Sequence, residues 1–434
     1  MSSRRRFLGQ LAAAGVGASV LRGRAEASSW PLVPVRPPAD GLAARFPDLA
    51  RHFVFEYYPW YGGAPAYEHW DYLDRRPPLD VSTHYMPRLG PYDVRSRAVL
   101  EQHAQWIRSA GVGAVALSWW GQGSWQDQRV HQVMDVFKDY DLKVTFGLEP
   151  YANDRGARFA DDVFYLLREY GERRRFDAFL VLRNEDGRSG PVFKGFRTIL
   201  PDQETDCRGR VRAVDDFTPD SVWWAQNDRI RQTLRGDFDH VTLLADSLHF
   251  GRTPAAGFDG IGIYDNFLGP ELYPGIARGA SDAGLLFALN VNPGYDQVEP
   301  RVVAPDKQEC YRPRDLAPAP AAPYEWSRPA DRERAAAASA ERIRASFAAT
   351  LEVQGDPALT NRRRGFFLVY LNSWNEWHEG HQFEPMKDAA DLTPEERQHG
   401  YRNPARGGGR LAVLAALIRE ARGDGSGAED ALRG

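Results

Sequence analysis

The sequence has few cysteines: Cys207 and Cys310 are the only two among its 434 residues. They lie far apart, and neither belongs to a CxxC or Cys/His motif, so a zinc site built on thiolates is excluded. In an exported protein the two could form one disulfide, or both could remain free thiols. The spacing alone leaves both states open.

Motifs of several other catalytic classes are also missing. The chain has no G-x-S-x-G elbow and no phosphate-binding glycine loop, which argues against the usual serine-hydrolase and nucleotide-binding arrangements. His378 and His381 are three residues apart rather than the four of HExxH, and no cluster of further metal ligands follows the predicted strands. We therefore expect neither a catalytic metal nor an organic cofactor.

The chain also lacks an apolar run long enough to cross a membrane. Its N-terminal apolar run, 11–21, is shorter than the roughly 20 residues that a spanning helix needs. Three arginines at 4–6 precede this run, and the small-residue sequence Ala-Glu-Ala at 25–27 follows it. This order predicts a twin-arginine signal peptide at 1–27 and a periplasmic or extracellular protein that is not inserted in the membrane.

The charge and composition limit the partners of the mature chain. Removal of residues 1–27 takes away five arginines and one glutamate, which changes the formal charge from −4 to −8. A mildly acidic protein is poorly suited to nucleic acid, so we expect no nucleic-acid partner. With 43% hydrophobic residues and no internal repeat or linker, the chain is expected to fold as one domain and to be a monomer.

Short apolar runs alternate with longer amphipathic stretches from residue 53 onward. The predicted strands are 53–58, 114–119, 143–149, 178–183, 240–246, 260–265, 285–290 and 366–372. The predicted helices are 96–110, 126–140, 158–174, 270–283, 329–351 and 410–422. This alternation predicts an α/β protein with a single (β/α)₈ barrel of the TIM type.

The barrel is expected to span 53–422, after a lead-in at 28–52 and before a disordered tail at 423–434. Two long irregular segments do not fit the repeat. They are 184–235, after the fourth predicted strand, and 293–329, after the seventh. Long loops after strands usually carry the function of a barrel.

The ends of the predicted strands carry rings, carboxylates and amides, the side chains that bind sugars. The candidate substrate-binding residues are Tyr58, Trp60, Trp119, Trp120, Glu149, Tyr151, Tyr264 and Trp377. Rings stack on the apolar faces of pyranoses, and carboxylates bind their hydroxyls, so we expect an oligo- or polysaccharide substrate. Because consecutive strand residues face opposite ways, only one of Trp119 and Trp120 is expected to touch it.

Glu376 and Glu379 are the candidate catalytic pair. They lie just after the last predicted strand, with Trp374 and Trp377 interleaved. Glycoside hydrolysis is usually catalysed by two carboxyl groups. The indoles would raise the pKa of at least one of them by excluding water. The alternative is a pair of solvated loop acids, and chemistry alone leaves both interpretations open.

Nine motifs occur in an order that resembles glycoside hydrolase family 99. They are YYPWYG at 57–62, HW at 69–70, LGPY at 89–92, SWW at 118–120, GLEPY at 147–151, FDG at 258–260, PGYD at 293–296, WNEWHEG at 374–380 and FEP at 383–385. Members of that family are endo-α-1,2-mannosidases and endo-α-1,2-mannanases on (β/α)₈ barrels. The resemblance implies a retaining endo-acting α-mannosidase.

The resemblance also implies roles for individual residues of these motifs. Glu379 would be the general acid/base, and Glu376 would deprotonate the 2-hydroxyl of the sugar to give a 1,2-anhydro intermediate. Glu149 and Tyr264 match further active-site positions, and Trp119 or Trp120 matches a subsite ring.

Two features depart from the family pattern and leave the glycan open. His381 stands where the family usually has Thr, and the segments 184–235 and 293–329 match nothing in it. A hydrolase of another α-linked glycan and a non-catalytic carbohydrate-binding protein of the envelope remain the alternatives.

Overall fold

The computed structural model describes residues 41–172, 176–305 and 307–423. The predicted signal peptide, the lead-in up to residue 40 and the predicted tail from residue 424 lie outside these ranges. Within them, no helix combines the length and the apolar character that crossing a bilayer requires.

Eight parallel strands form the barrel. They are β1 Phe53–Tyr57, β2 Ala114–Trp119, β3 Lys143–Leu148, β4 Ser189–Gly195, β5 Thr242–Ala245, β6 Gly260–Gly262, β7 Leu286–Ala288 with its continuation Asn290–Val291, and β8 Val369–Leu371. Each strand pairs with the next, and β1 pairs with β8. The first part of β7 pairs with β6 and its continuation pairs with β8, which closes the ring. The predicted (β/α)₈ barrel is confirmed.

Helices follow most of the strands and cover the barrel. The longer ones are Arg97–Ser109, Asp127–Phe137, Arg155–Leu166, Asp220–Thr233, Tyr273–Asp282, Pro329–Gly355 and Gly409–Arg422. Short helices and turns are Leu42–Arg45, Leu49–His52, Tyr72–Asp74, Lys138–Tyr140, Leu167–Glu172, Arg252–Ala255, Pro270–Leu272, Thr360–Arg363, Ala389–Asp391 and Pro394–Gln398. In Arg97–Ser109, Leu100, Ala104 and Ile107 are buried, as expected of an amphipathic helix on a sheet.

The fourth barrel strand differs from the prediction. Val181–Arg183, inside the predicted strand 178–183, pairs antiparallel with the start of β4, and only Phe179 makes a parallel bridge to β3. β4 occupies the barrel position between β3 and β5. Its sequence contains Pro191 and Lys194, which interrupt the apolar pattern, so the pattern does not predict a strand here.

The first predicted insertion, 184–235, is accordingly wrong in extent. It contains β4 and the helix Asp220–Thr233, which the sequence patterns did not reveal. Between these two elements lies a two-stranded hairpin of Gln203–Thr205 and Val211–Ala213, whose residues are exposed. The irregular part after the fourth strand is therefore the shorter segment 196–219.

Cys207 and Cys310 form a disulfide, which resolves the alternative left open by the sequence. Their Cα atoms are 5.5 Å apart across a sequence separation of 103 residues. Arg208 and Glu309 form an ion pair of 2.6 Å beside it. The disulfide thus ties the segment after β4 to the segment after β7.

A buried ion pair lies inside the barrel. The Lys194 ammonium on β4 donates to the Glu56 carboxylate on β1, and both residues are less than 7% exposed. The same ammonium lies 4.3 Å from the centre of the Tyr370 ring on β8. Burial lowers the pKa of Lys194 to about 8, so the side chain is charged at neutral pH.

Replacement of Lys194 by Met is expected to lower the free energy of unfolding by about 3 to 5 kcal/mol at pH 7, because it leaves the Glu56 carboxylate buried without its cation. Urea denaturation measures this effect. The double variant Lys194→Met with Glu56→Gln removes both charges and is expected to recover part of the loss. A single variant as stable as the wild type would show that the pair is not coupled.

Candidate active site

The loop after β8 carries both candidate catalytic glutamates, and backbone hydrogen bonds fix it to the barrel. The Trp374 N–H donates to the Glu56 carbonyl at 2.7 Å, and the Trp377 N–H donates to the Tyr61 hydroxyl at 3.1 Å. The Glu376 N–H donates to Ser373 Oγ at 2.8 Å. The glutamate backbone is therefore held at the carboxyl-terminal mouth of the barrel, where barrel enzymes bind their substrates.

The two carboxyl groups differ in exposure. Glu376 is 3% exposed, and its Oε1 accepts a hydrogen bond of 3.1 Å from the His378 N–H. The Glu379 side chain is 31% exposed. One carboxyl group is therefore enclosed, and the other is open to a ligand.

Glu379 is surrounded by hydrogen-bond donors. The Tyr264 hydroxyl donates to its Oε2 at 2.7 Å, and His381 Nε2 lies 2.9 Å from the same oxygen. The Tyr295 hydroxyl lies 3.3 Å from Oε1 and is shared with Gln297 Oε1, to which it makes the shorter hydrogen bond. These groups come from the loops after β6, β7 and β8, so the side chain is held from three directions.

These surroundings move the two pKa values apart. Burial raises the pKa of Glu376 well above its ordinary value, and the charge of Glu379 raises it further. Burial acts on Glu379 in the same direction, but hydrogen bonds from His381 and Tyr264 outweigh it and hold the pKa of Glu379 below its ordinary value. Of the two carboxyl groups, Glu376 therefore holds a proton more tightly than Glu379.

A third carboxyl group, Glu149, lies near the pair after β3. The Ser118 hydroxyl donates to its Oε1 at 2.8 Å, and the Trp120 indole donates to the Ser118 oxygen at 3.0 Å. Burial raises the pKa of Glu149, and the charge of Glu379 adds to this effect. Glu149 and Trp120 thus belong to one hydrogen-bonded group close to Glu379.

The aromatic residues after β1 form one wall of the site. The Tyr58 and Trp60 rings are 4.6 Å apart, and the Trp60 and Trp120 rings are 6.5 Å apart. Burial raises the pKa of Tyr58 well above its ordinary value, and the charges of Glu149 and Glu376 raise it further. The structure therefore brings Tyr58, Trp60 and Trp120 together beside the carboxyl groups.

Three of the predicted substrate-binding rings make contacts with other parts of the protein. Trp119 is fully buried, and its indole donates to Asp127 on the following helix. The Tyr151 hydroxyl is turned to Asp162 on the helix Arg155–Leu166. Trp377 is also fully buried, and its indole donates to Glu384 at 2.9 Å. Of the two adjacent tryptophans, Trp119 turns to the helix that follows, and Trp120 lies beside Ser118 and Glu149.

Two residues in contact with Glu379 were not among the predicted site residues. Tyr295 belongs to a recognised motif, PGYD at 293–296, and the end of β7 places it there. His381 appeared in the sequence only as a departure from a family pattern. The second histidine of that stretch, His378, is engaged elsewhere, because its Nδ1 lies 2.8 Å from the Ser82 carbonyl oxygen.

Comparisons with known proteins identify similar glycoside hydrolases. The model of glycosyl hydrolase family 99 matches residues 48–185. The glycoprotein endo-alpha-1,2-mannosidase-like protein of Danio rerio is 26% identical over 382 residues, which cover 79% of this chain and 73% of that protein. The glycoprotein endo-alpha-1,2-mannosidase of Rattus norvegicus is 26% identical over 380 residues, which cover 79% and 70%.

The family model and these relatives support the resemblance to glycoside hydrolase family 99. The chain is therefore a glycoside hydrolase. The sequence-based recognition of the family is confirmed, and the relatives' similarity extends well beyond the segment that the family model matches.

A solved family 99 structure has the same fold. The GH99 endo-alpha-mannosidase of Bacteroides thetaiotaomicron, in complex with bis-tris-propane, superposes with a TM-score of 0.58 at 18% identity. The aligned part covers 86% of this chain and 98% of that one. At this identity the likeness shows the barrel architecture alone.

Glu149 gives this glycoside hydrolase a testable pH dependence. Burial raises its pKa from 4.5 to about 7, although the Ser118 hydrogen bond acts in the opposite direction. Because the folded form binds this proton more tightly than the unfolded form, the group's contribution to stability falls as the pH rises from about 4.5 to about 7. Replacement by Gln abolishes that fall.

The free energy of unfolding of Glu149→Gln, relative to the wild type, is therefore expected to be higher at pH 8 than at pH 5. The difference is on the order of 2 kcal/mol after discounting for solvent screening of a partly exposed group. Urea denaturation at the two pH values measures it. An equal offset at both would contradict a raised pKa of Glu149.

Proposed function

We propose that this chain is a retaining endo-acting α-mannosidase and that Glu376 and Glu379 are its catalytic residues. The observation that carries the proposal is the unequal pair: an enclosed carboxyl group beside an exposed one that several donors hold in place. The relatives named as endo-alpha-1,2-mannosidases support an α-mannosidic substrate. The substrate is an oligo- or polysaccharide.

The first step breaks the glycosidic bond. Glu376 removes the proton from the 2-hydroxyl of the sugar, and the resulting oxygen attacks the anomeric carbon from the face opposite the leaving group. Glu379 donates its proton to the departing oxygen, which leaves as an alcohol. The axial 2-hydroxyl of an α-mannoside stands trans to the leaving group, so the geometry of the sugar allows this attack and gives a 1,2-anhydro intermediate.

The second step restores both carboxyl groups. Glu379, now ionised, takes a proton from a water molecule that attacks the anomeric carbon, and Glu376 returns its proton to the 2-oxygen. Two inversions give net retention. The exposure of Glu379 suits a residue that must reach first the leaving oxygen and then water.

The bound substrate has to redistribute the one proton of the pair. In the free protein Glu376 holds a proton more tightly than Glu379, whereas the first step needs the proton on Glu379. A 2-hydroxyl that donates to Glu376 stabilises the ionised form of that carboxyl group, and a glycosidic oxygen near Glu379 stabilises the protonated form of the other. Productive binding therefore includes proton transfer within the pair.

Export is part of the proposal. Residues 1–27 have the order of a twin-arginine signal, and the disulfide between Cys207 and Cys310 suits an oxidising compartment. Expression of the full chain in a bacterial host, with and without Arg4 and Arg5 replaced by Lys, tests this route. Export that is unaffected by the replacement would contradict it.

Product analysis on a panel of α-linked glycans tests the activity. Incubation with α-1,2-, α-1,3- and α-1,6-linked manno-oligosaccharides is expected to release internal fragments from at least one α-mannan. Release of single terminal sugars would contradict endo action, and cleavage of non-mannose α-glycans alone would contradict the substrate. Binding without turnover would indicate a non-catalytic carbohydrate-binding protein.

A further inference from the structure

His381 is buried directly against the exposed carboxyl group of the pair. Its side chain has no solvent exposure, and its Nε2 lies 2.9 Å from Glu379 Oε2. The Tyr264 hydroxyl is 2.7 Å from the same carboxylate oxygen and 3.2 Å from Nε2. Three polar groups therefore meet at one oxygen of Glu379.

The surroundings of the imidazole indicate which of its two nitrogens donates a hydrogen bond. Nδ1 is buried and has no hydrogen-bond partner within the part of the chain that the structure describes. An N–H at Nδ1 would be buried without an acceptor, which is unfavourable, whereas an N–H at Nε2 faces the Glu379 carboxylate, so Nε2 is the nitrogen that donates. The Tyr295 ring stacks on it at 6.2 Å and an interplanar angle of 28°, which fixes its orientation.

We propose that His381 is a positioning residue of the carboxylate pair: its imidazole donates the Nε2–H to Glu379, keeps that carboxylate ionised and thereby extends turnover into acidic solution. A hydrogen bond to the ionised form of a carboxyl group favours that form. His381 acts through Glu379 and has no role in bond breaking. The inference rests on the proposed function.

Other charged and titratable groups also face Glu379. They are Tyr58 and Tyr72 after β1, Glu149 after β3, Tyr264 and Asp265 after β6, Tyr295 and Arg314 after β7, and Glu376 and His378 on the same loop. A substitution at position 381 changes none of these residues. It therefore isolates the contribution of one donor.

The effect belongs to one side of the pH–rate profile. Turnover requires the pair to hold one proton, so activity falls when a second proton binds and when the only proton is lost. The second proton binds mainly to Glu379, and the only proton is lost mainly from Glu376. Loss of the Nε2–H donor therefore acts on the acidic limb of kcat/KM, which reports the free enzyme.

The experiment compares His381→Leu with His381→Gln on an α-manno-oligosaccharide that the wild type cleaves. In the Leu variant the acidic limb of kcat/KM is expected to move up by about one pH unit, while the alkaline limb stays in place. In the Gln variant the side-chain amide supplies a neutral N–H, so its acidic limb is expected to remain near that of the wild type. Thermal unfolding confirms that both variants are folded.

Two results would overturn the inference: an unmoved acidic limb in the Leu variant, or an equal shift in both variants. Absence of turnover by the wild type at any pH would instead contradict the proposed function. In that case a measurement without substrate still tests whether His381 donates from Nε2. Nitrogen-15 NMR of the histidines is expected to show a proton on Nε2 of His381, and an Nε2 without a proton would overturn the inference.

Discussion

Replacement of Glu376 by Gln is expected to lower kcat about 10⁴-fold on an α-mannan substrate, because the amide cannot take the proton of the 2-hydroxyl. The change keeps the shape of the side chain and removes a buried carboxyl group, so the fold is expected to survive. Initial rates by reducing-end release measure the loss. Thermal unfolding of the variant checks the fold.

The matched control is Glu352→Gln, a change at an exposed glutamate on the helix Pro329–Gly355. It makes the same chemical substitution far along the chain from the catalytic loop. Its kcat is expected to equal that of the wild type. Near-normal turnover by Glu376→Gln would show that Glu376 does not take part in the chemistry.

Replacement of Glu379 by Gln is expected to give a loss that depends on the leaving group. With a sugar as leaving group, kcat/KM is expected to fall about 10³-fold, because the departing oxygen receives no proton. With an aryl glycoside of the same donor sugar, the phenolate leaves without protonation. Most of the loss in kcat/KM is then expected to disappear, while kcat stays low because the second step still needs a base.

The contrast between the two variants separates the roles of the two glutamates. Glu376→Gln is expected to remain inactive on both kinds of substrate, since the attacking oxygen needs its base in each case. Equal recovery of both variants on the aryl glycoside would contradict the assignment of Glu379 as the proton donor. Recovery by Glu376→Gln alone would exchange the two roles.

The barrel could be predicted because most of its strands are continuous apolar runs. β1, β2 and β3 are almost entirely buried, as strands of a parallel sheet inside a barrel must be. β4 was not predicted because a lysine such as Lys194 is usually a surface residue. It is tolerated inside only because Glu56, 138 residues earlier, supplies the opposite charge, and no local pattern reports such a partner.

The residue types of the candidate site could be predicted from the sequence, but the direction in which each side chain points could not. Tyr264 and Tyr151 both follow a strand, yet the first hydroxyl reaches Glu379 and the second reaches a helix. The orientation depends on the path of each loop after its strand, which side-chain type does not determine. The alternation of strand residues did anticipate that one of Trp119 and Trp120 turns away, but not which one.

The most direct test of the central claim is the stereochemistry of the first product. Proton NMR of the wild-type protein acting on an α-linked manno-oligosaccharide follows the anomeric signal at the newly formed reducing end. The account predicts that the α anomer appears first and then equilibrates by mutarotation, as net retention requires. Initial appearance of the β anomer would contradict the proposed roles of Glu376 and Glu379.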